Sequence, residues 1–306
     1  MTTTTITHAT HCGGTEVPDP PIPRRSLGQT GSYVTQFALG GEGVLRTHGR
    51  MAEAVAVIHR ALDQGVNYCD TAPAYAGSLD YYGAALCERR RQVFLASKTH
   101  DRTRDGSLRL LDESLERLRT DHLDLWQLHD LRTSSDLKAI FSRGGALEAL
   151  LQAREEGRVR FLGLTGHHDP AILLEAMRRF DFDTVLVALN AADTHRLSFV
   201  RTVLLEAGRR GMGVIGMKVY AAGALLHGGS IPLTPGEAMG YVLSLAGVST
   251  VIIGCSSPAE VDENARIART FQPFDEPAMR GLEERTHARA GVFTAYKKVD
   301  RASPAS

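Results

Sequence analysis

Cysteine is scarce in this sequence: Cys12, Cys69, Cys87 and Cys255 are scattered through 306 residues and make no Cys-x-x-Cys pair. That spacing excludes a disulfide framework or a thiolate zinc site as an organising device. All four read as reduced structural thiols, the state expected in the cytosol. A charge excess is missing too. Lys and Arg number 35, as do Asp and Glu, so no global field favours nucleic acid or an anionic membrane. Long hydrophobic runs are absent. The apolar stretches are strand-sized, and no transmembrane helix is expected. No continuous apolar stretch of secretory length opens the chain, and no twin-arginine run precedes one, so the cytoplasm is the expected compartment.

Hydrophobic residues make up 43% and charged residues 23%, a balance that can bury one large core. The start of the chain is the exception. MTTTTITHATHCGGTE is Thr-rich and PDPPIP is Pro-rich, and neither offers much apolar surface to bury. A disordered tail is expected over residues 1–23 and one folded domain over 24–306. Within the tail, His8, His11 and Cys12 amount to no more than a chance metal site.

From Arg24 the pattern becomes regular. RRSLGQTGSYVTQFALGG holds two short extended runs around Gly28–Gly31, a hairpin signal. A first strand then leads into LGGEG (Leu39–Gly43). Further strands are expected at 67–70, 93–98, 123–129, 159–165, 185–190, 213–218 and 250–254. Helices are expected at 52–64, 82–90, 107–119, 146–156, from Pro170, and at 199–210, 234–245 and 258–269. Residues 132–143 read as a long linker-like loop. Eight strand–helix units imply an α/β fold, a (β/α)8 TIM barrel with a short N-terminal hairpin and a C-terminal helical extension. In such barrels the chemistry sits at the C-terminal ends of the strands.

Three successive strand ends carry residues suited to proton transfer. GVNYCDTAPAY holds Asp70 and Tyr75, VFLASK ends at Lys98, and DLWQLHD places His129 after an apolar run. Asp, Tyr, Lys and His in that order resemble the aldo-keto reductases, and the resemblance extends from about Arg24 to the last expected helix. It implies reduction of an aldehyde or ketone to an alcohol, or the reverse, by hydride transfer from NAD(P)H. Tyr75 is then the general acid/base, Lys98 tunes it, Asp70 pairs with Lys98, and His129 orients the carbonyl. The chemistry is consistent with these types. Hydride addition leaves an alkoxide that needs a proton. A phenol with a pKa of about 10 gives one up more easily beside an ammonium, and histidine can donate a hydrogen bond to the developing oxyanion.

No Gly-x-Gly-x-x-Gly fingerprint follows a strand, which excludes a Rossmann site. The resemblance implies another cofactor site. By position, Gly254, Ser256, Ser257, Glu260 and Asn264 of GCSSPAEVDEN meet the adenosine end, where a helix N-terminus offers free N–H groups to phosphate. Toward the nicotinamide, Thr165 is the carboxamide contact and Gly166 adds no side chain. Leu186 stands where relatives carry Gln, leaving Asn190 as a polar substitute. Met217 replaces a stacking aromatic, Lys218 is placed for the pyrophosphate, and Gly41 permits close backbone approach. NADP(H) is the favoured cofactor. NAD(H) stays open because Glu260 stands where Arg, Lys or Gln is common and opposes a 2′-phosphate, although Arg266 and Arg269 lie on the same helix.

Two other readings exist. One is a non-catalytic nicotinamide-binding regulatory subunit on the same fold, against which all four proton-transfer residues stand. The other is a metal-dependent hydrolase using His129, His167, His168 and His195. No His-x-His follows the first strand, and that reading leaves Asp70, Tyr75 and Lys98 unexplained. The expected partner is a small carbonyl or alcohol, with no nucleic acid and no membrane, and self-association stays open. Trp126 is expected to pack in the core, while Phe141, Tyr220 and Phe293 are candidates for an apolar substrate wall.

Overall fold

The computed structural model describes residues 19–227 and 232–300. Strands β1 (Arg24–Ser26) and β2 (Tyr33–Thr35) pair antiparallel as the hairpin. The barrel strands follow as β3 (Phe37–Gly43), β4 (Tyr68–Asp70), β5 (Phe94–Thr99), β6 (Leu123–Leu128), β7 (Val159–Gly166), β8 (Thr184–Ala188), β9 (Gly213–Met217) and β10 (Val248–Cys255). Each pairs in parallel with the next, and β10 returns to β3, so the sheet closes. Parallel neighbours require crossovers. These run through α1 (Met51–Asp63), α2 (Ser78–Leu86), α3 (Arg104–Leu118), α4 (Ser134–Ile140), α5 (Ala146–Glu155), α6 (Pro170–Arg179), α7 (Val203–Arg209), α8 (Ala224–His227) and α9 (Pro235–Ser244). Helix α10 (Pro258–Thr270) completes the ring, and α11 (Glu276–His287) and α12 (Ala290–Phe293) form the extension.

Alternation along the strands separates two cores. Leu95 and Trp126 face the surrounding helices, in the large outer cluster. Tyr68, Phe94, Ala96, Leu125, Leu186 and Ile215 point to the axis. There Tyr68, Phe94 and Phe161 stack at 5.2 and 6.2 Å between ring centroids. Leu27 and Val34 of the hairpin join this inner cluster and plug the N-terminal end of the barrel. Gly28 turns there with φ +55°, and a Cβ would lie 2.2 Å from Gly213 N, so only glycine fits.

Several boundaries differ from the sequence expectations. The stretch 132–143 is not a linker: Thr133 and Asp136 form a reciprocal capping box that starts α4. Helix α3 begins three residues earlier than expected because the Thr103 hydroxyl accepts from Gly106 N–H. Helix α2 begins at Ser78 and gives way to a 3-10 turn over Cys87–Gln92. Strand β8 ends at Ala188, so Asn190 lies beyond it. Residues 19–23, placed in the tail by composition, instead run along the barrel. Ile22 is buried, and the Arg269 guanidinium donates to Pro20 O at 2.7 Å. Among the described residues no helix is long and apolar enough to cross a membrane.

Candidate active site

The same alternation that builds the two cores carries Lys98 to the barrel axis. On β5, Ser97 and Thr99 turn outward to Ser114 (3.2 Å) and Ser107 (3.0 Å) on α3, while Lys98 continues the inward row of Phe94 and Ala96. Asp70 ends β4 opposite Ala96, two residues before Lys98 on the same inward row of β5. Tyr75 sits in the turn between β4 and α2, anchored by its N–H to Ala72 O at 3.0 Å. Gly41 gives its ring room: a Cβ there would lie 2.6 Å from Ser78 Oγ and 2.8 Å from Tyr75 Cδ2. His129 follows β6 and donates its N–H to Thr99 O at 2.8 Å.

The four side chains converge. The Lys98 ammonium, 1% exposed, forms an ion pair with Asp70 Oδ2 and donates to Thr71 O at 2.9 Å. Gln127 Nε2 donates to the other Asp70 oxygen at 3.2 Å. Lys98 Nζ lies 4.8 Å from the centroid of the Tyr75 ring, and the His129 ring meets that ring edge-on at 5.6 Å. Burial opposes the Lys98 charge, but Asp70 and Tyr75 outweigh it and hold the ammonium protonated. Burial pushes the Tyr75 phenol above its ordinary value, and Lys98 pulls it down without overcoming burial. The phenol is therefore protonated at neutral pH. His129 is pushed down to about 2 by burial and then by Lys98, which keeps its imidazole neutral.

These groups open onto a cavity of about 480 Å³ at the C-terminal ends of the strands. Tyr75, Lys98, His129, Thr165, Met217 and Lys218 all reach it. So do His167, named in the sequence only for the metal-dependent reading, and residues the sequence did not single out: Glu42, Arg46, His100, Arg102, Asp130 and Arg132. Arg46 lies over the Tyr75 ring at 5.1 Å, opposite in kind to the buried Lys98 because its own partner, Glu42, is exposed. Arg102 donates to the carbonyls of His129 (2.9 Å) and Asp130 (3.0 Å), fixing that turn. Asp130 and Lys218 hold left-handed backbone, φ 53° and 55°, a strained conformation common at functional sites. For Asp130, Arg132 and His167 the sequence signal is the cluster of ionisable residues in HDLR and GHHD, at the ends of two strands.

The expected apolar wall is elsewhere. Phe293 is buried in the outer core, Phe141 packs against that core under Arg179, and the Tyr220 hydroxyl donates to Asn264. Trp126 packs in the core as expected. A wider hollow, about 990 Å³, is lined by Cys87, Arg90, Arg91 and His122 where β5 and β6 begin. That is the N-terminal face, where barrels carry stability and not catalysis.

The sequence profile of the aldo/keto reductase family matches residues 37–238, more than half of the chain. The chain belongs to that family. It is similar to L-galactose dehydrogenase of Arabidopsis thaliana, 29% identical with 79% of this chain and 87% of that protein covered. D-threo-aldose 1-dehydrogenase of a Pseudomonas species is 26% identical, with 71% and 83% covered. Among solved structures, an aldo-keto reductase of Klebsiella pneumoniae in complex with NADPH shares the fold, with TM-score 0.68, 22% identity, and 83% and 91% of the two chains covered. The (β/α)8 barrel and an oxidoreductase role are thus established for this aldo/keto reductase.

The cofactor residues divide into two groups. Lys218 Nζ has no carboxylate partner among the described residues and stands over the Tyr296 ring at 5.4 Å, a cation free to meet phosphate. At the start of α10, Ser257 Oγ accepts from Glu260 N–H at 3.3 Å, and Pro258 occupies the first turn. Glu260 folds back on this N-terminus, its Oε2 accepting from Ser256 N–H at 2.8 Å. Thr165 Oγ1 accepts from Asp130 N–H at 2.7 Å and still has a hydroxyl proton to give. These residues fit a nicotinamide dinucleotide.

The remaining members of the set are engaged within the protein. Asn190 is fully buried, donating to Lys218 O and Tyr296 Oη and accepting from Ala192 N–H. Asn264 is bound to Tyr220, Glu260 O and Cys255. Gly254 makes space for Glu42, whose Cβ a side chain there would meet at 2.5 Å. Arg269 is spent on Pro20 and Gln64, away from the helix start.

Proposed function

We propose that this aldo/keto reductase interconverts a hydroxylated aldehyde or ketone and its alcohol with a nicotinamide dinucleotide, Tyr75 being the proton donor in reduction. The observation that carries this is the protonated Tyr75 phenol packed against the paired Lys98 ammonium inside the cavity. A nicotinamide dinucleotide held there would supply the hydride to the carbonyl carbon. Tyr75 gives its proton to the carbonyl oxygen, and Lys98 stabilises the phenolate left behind. Neutral His129 donates a ring N–H to the same oxygen, which it can do without carrying charge. Asp70 and Gln127 keep Lys98 in place. Thr165, Lys218 and the Ser256–Ser257 turn would hold the dinucleotide.

The cavity rim favours a hydrophilic substrate. Glu42, Arg46, Arg102, Asp130, Arg132 and His167 surround it, and only Ala74, Leu186 and Met217 are apolar. Hydroxyl groups on the substrate would satisfy those polar atoms, whereas an alkyl chain would strip them of water. The names of the two relatives, both sugar dehydrogenases, agree. The cofactor is NADP(H) by family habit, but the Glu260 carboxylate at the α10 N-terminus favours acceptance of NAD(H). A regulatory subunit would not need the intact Asp70–Lys98–Tyr75 arrangement.

The test is oxidation of NADH and NADPH with a panel of aldoses, simple aliphatic aldehydes and aromatic aldehydes. Turnover highest on the hydroxylated members is expected. Binding of dinucleotide with no turnover on any carbonyl would favour the regulatory reading.

A further inference from the structure

Beside the proton-transfer group, three side chains point their donor atoms at one another. Asp130 Oδ1 lies 3.2 Å from His167 Nδ1 and 3.5 Å from His168 Nε2, and the three atoms all fall within 4.8 Å. Asp130 Oδ1 and His168 Nε2 are buried, and apart from these ion-pair contacts among the three side chains neither has a hydrogen-bond partner among the described residues. Buried polar atoms without partners are uncommon and call for an explanation. We propose that Asp130, His167 and His168 form a binding site for a divalent transition-metal ion.

The spacing suits such an ion. Ligand bonds of about 2.1 Å at tetrahedral angles separate donor atoms by about 3.4 Å, close to both measured contacts. Two imidazoles and a carboxylate select borderline ions of the zinc, cobalt, nickel or copper kind over calcium or magnesium. Arg132 binds the other carboxylate oxygen, its Nε donating to Asp130 Oδ2 at 2.6 Å, which leaves Oδ1 for the ion. Hydrogen bonding of that sort is how ligating carboxylates are ordinarily oriented. The strained turn at Asp130, pinned by Arg102, sets the carboxylate toward the histidines. Pro170 opens α6 two residues after His168, and Asp169 caps that helix, so the two histidines ride on a fixed turn. Asp130 and His167 line the catalytic cavity and His168 does not, so the ion has its vacant position on the cavity side, where water or a substrate oxygen completes the shell.

The experiment is titration of the full chain, stripped with chelator, with cobalt(II) chloride, reading the visible absorption that a low-symmetry site induces and the heat of binding. Wild type is expected to take up one equivalent. His168→Gln and His167→Gln should each weaken that binding by roughly 100-fold or more, with circular dichroism confirming that both remain folded. His8, His11 and Cys12 of the tail could capture cobalt by themselves, so the triple variant H8Q/H11Q/C12S is titrated alongside and should keep the equivalent. Three results would overturn the site: no uptake by wild type, undiminished uptake by both histidine variants, or an equivalent that vanishes with the tail substitutions. None of these results bears on carbonyl reduction, so this inference can fail without the proposed function failing.

Discussion

Lys98 is an ammonium buried in the axis of a barrel, and its environment explains both its presence and its use. Asp70 and the Thr71 carbonyl replace the water it has lost, and its charge reaches the Tyr75 ring. In Lys98→Met the phenol keeps the upward push of burial and loses the downward pull of the ammonium. Alcohol oxidation needs the phenolate, so the rising limb of its pH–rate profile should move to higher pH, with the deepest loss near neutrality. A profile superimposable on wild type would contradict the tuning role. Glu260 invites a second substitution. Glu260→Arg removes a carboxylate that opposes a 2′-phosphate and adds a group that binds one bidentately. The ratio of NADH to NADPH dissociation constants should shift toward NADPH by tens- to several-hundred-fold, about 2–4 kcal/mol. An unchanged ratio would move the adenosine site off this helix.

At the scale of elements, the chain after Phe293 acts as a strap across the face of the barrel formed by the C-terminal ends of the strands. Lys297 is fully buried, ion-paired with Asp193 and donating to Arg196 O at 2.9 Å and Leu197 O at 3.0 Å. Lys298 N–H reaches His168 O at 3.3 Å, and Ser134 N–H reaches Asp300 at 2.8 Å. Lys297→Met leaves Asp193 buried without its cation, which should cost about 3–5 kcal/mol in urea unfolding. A change within error would show that the pair is dispensable. None of this strap is legible in the sequence, because Lys297 and Asp193 are 104 positions apart and each alone reads as solvated. The barrel itself is legible, since every strand–helix unit carries its own period and its own turn residues. What periodicity misses is side-chain capping: α4 depends on Thr133 and Asp136, two residues inside a stretch that composition alone makes a loop.

For the whole molecule, the site was readable to the depth at which it is built from strand ends. Asp70, Lys98 and His129 end or follow neighbouring strands, so topology brings them together with Tyr75. The hydrogen bonds that tie Asn190 to Tyr296 and Asn264 to Tyr220 were not legible, because those partners come from distant loops. The N-terminal boundary follows the same rule. Composition puts the whole stretch 1–23 in the tail, with residues 1–20 removable, and a truncation of residues 1–18 should keep folding and turnover. Deletion through residue 23 also strips Ile22 from the core and Pro20 from Arg269, and should cost about 2 kcal/mol. Thermal unfolding of the two truncations would separate them, and equal midpoints would show that residues 19–23 add nothing.

The most direct measurement of the central claim is the turnover number of Tyr75→Phe for carbonyl reduction, taken with the dinucleotide dissociation constant of the same variant. The substitution removes one hydroxyl and keeps the ring that Lys98, Arg46 and His129 pack around. Turnover should fall by roughly 100-fold or more while dinucleotide binding stays near wild type. Wild-type turnover in Tyr75→Phe would contradict the assignment of Tyr75 as the proton donor.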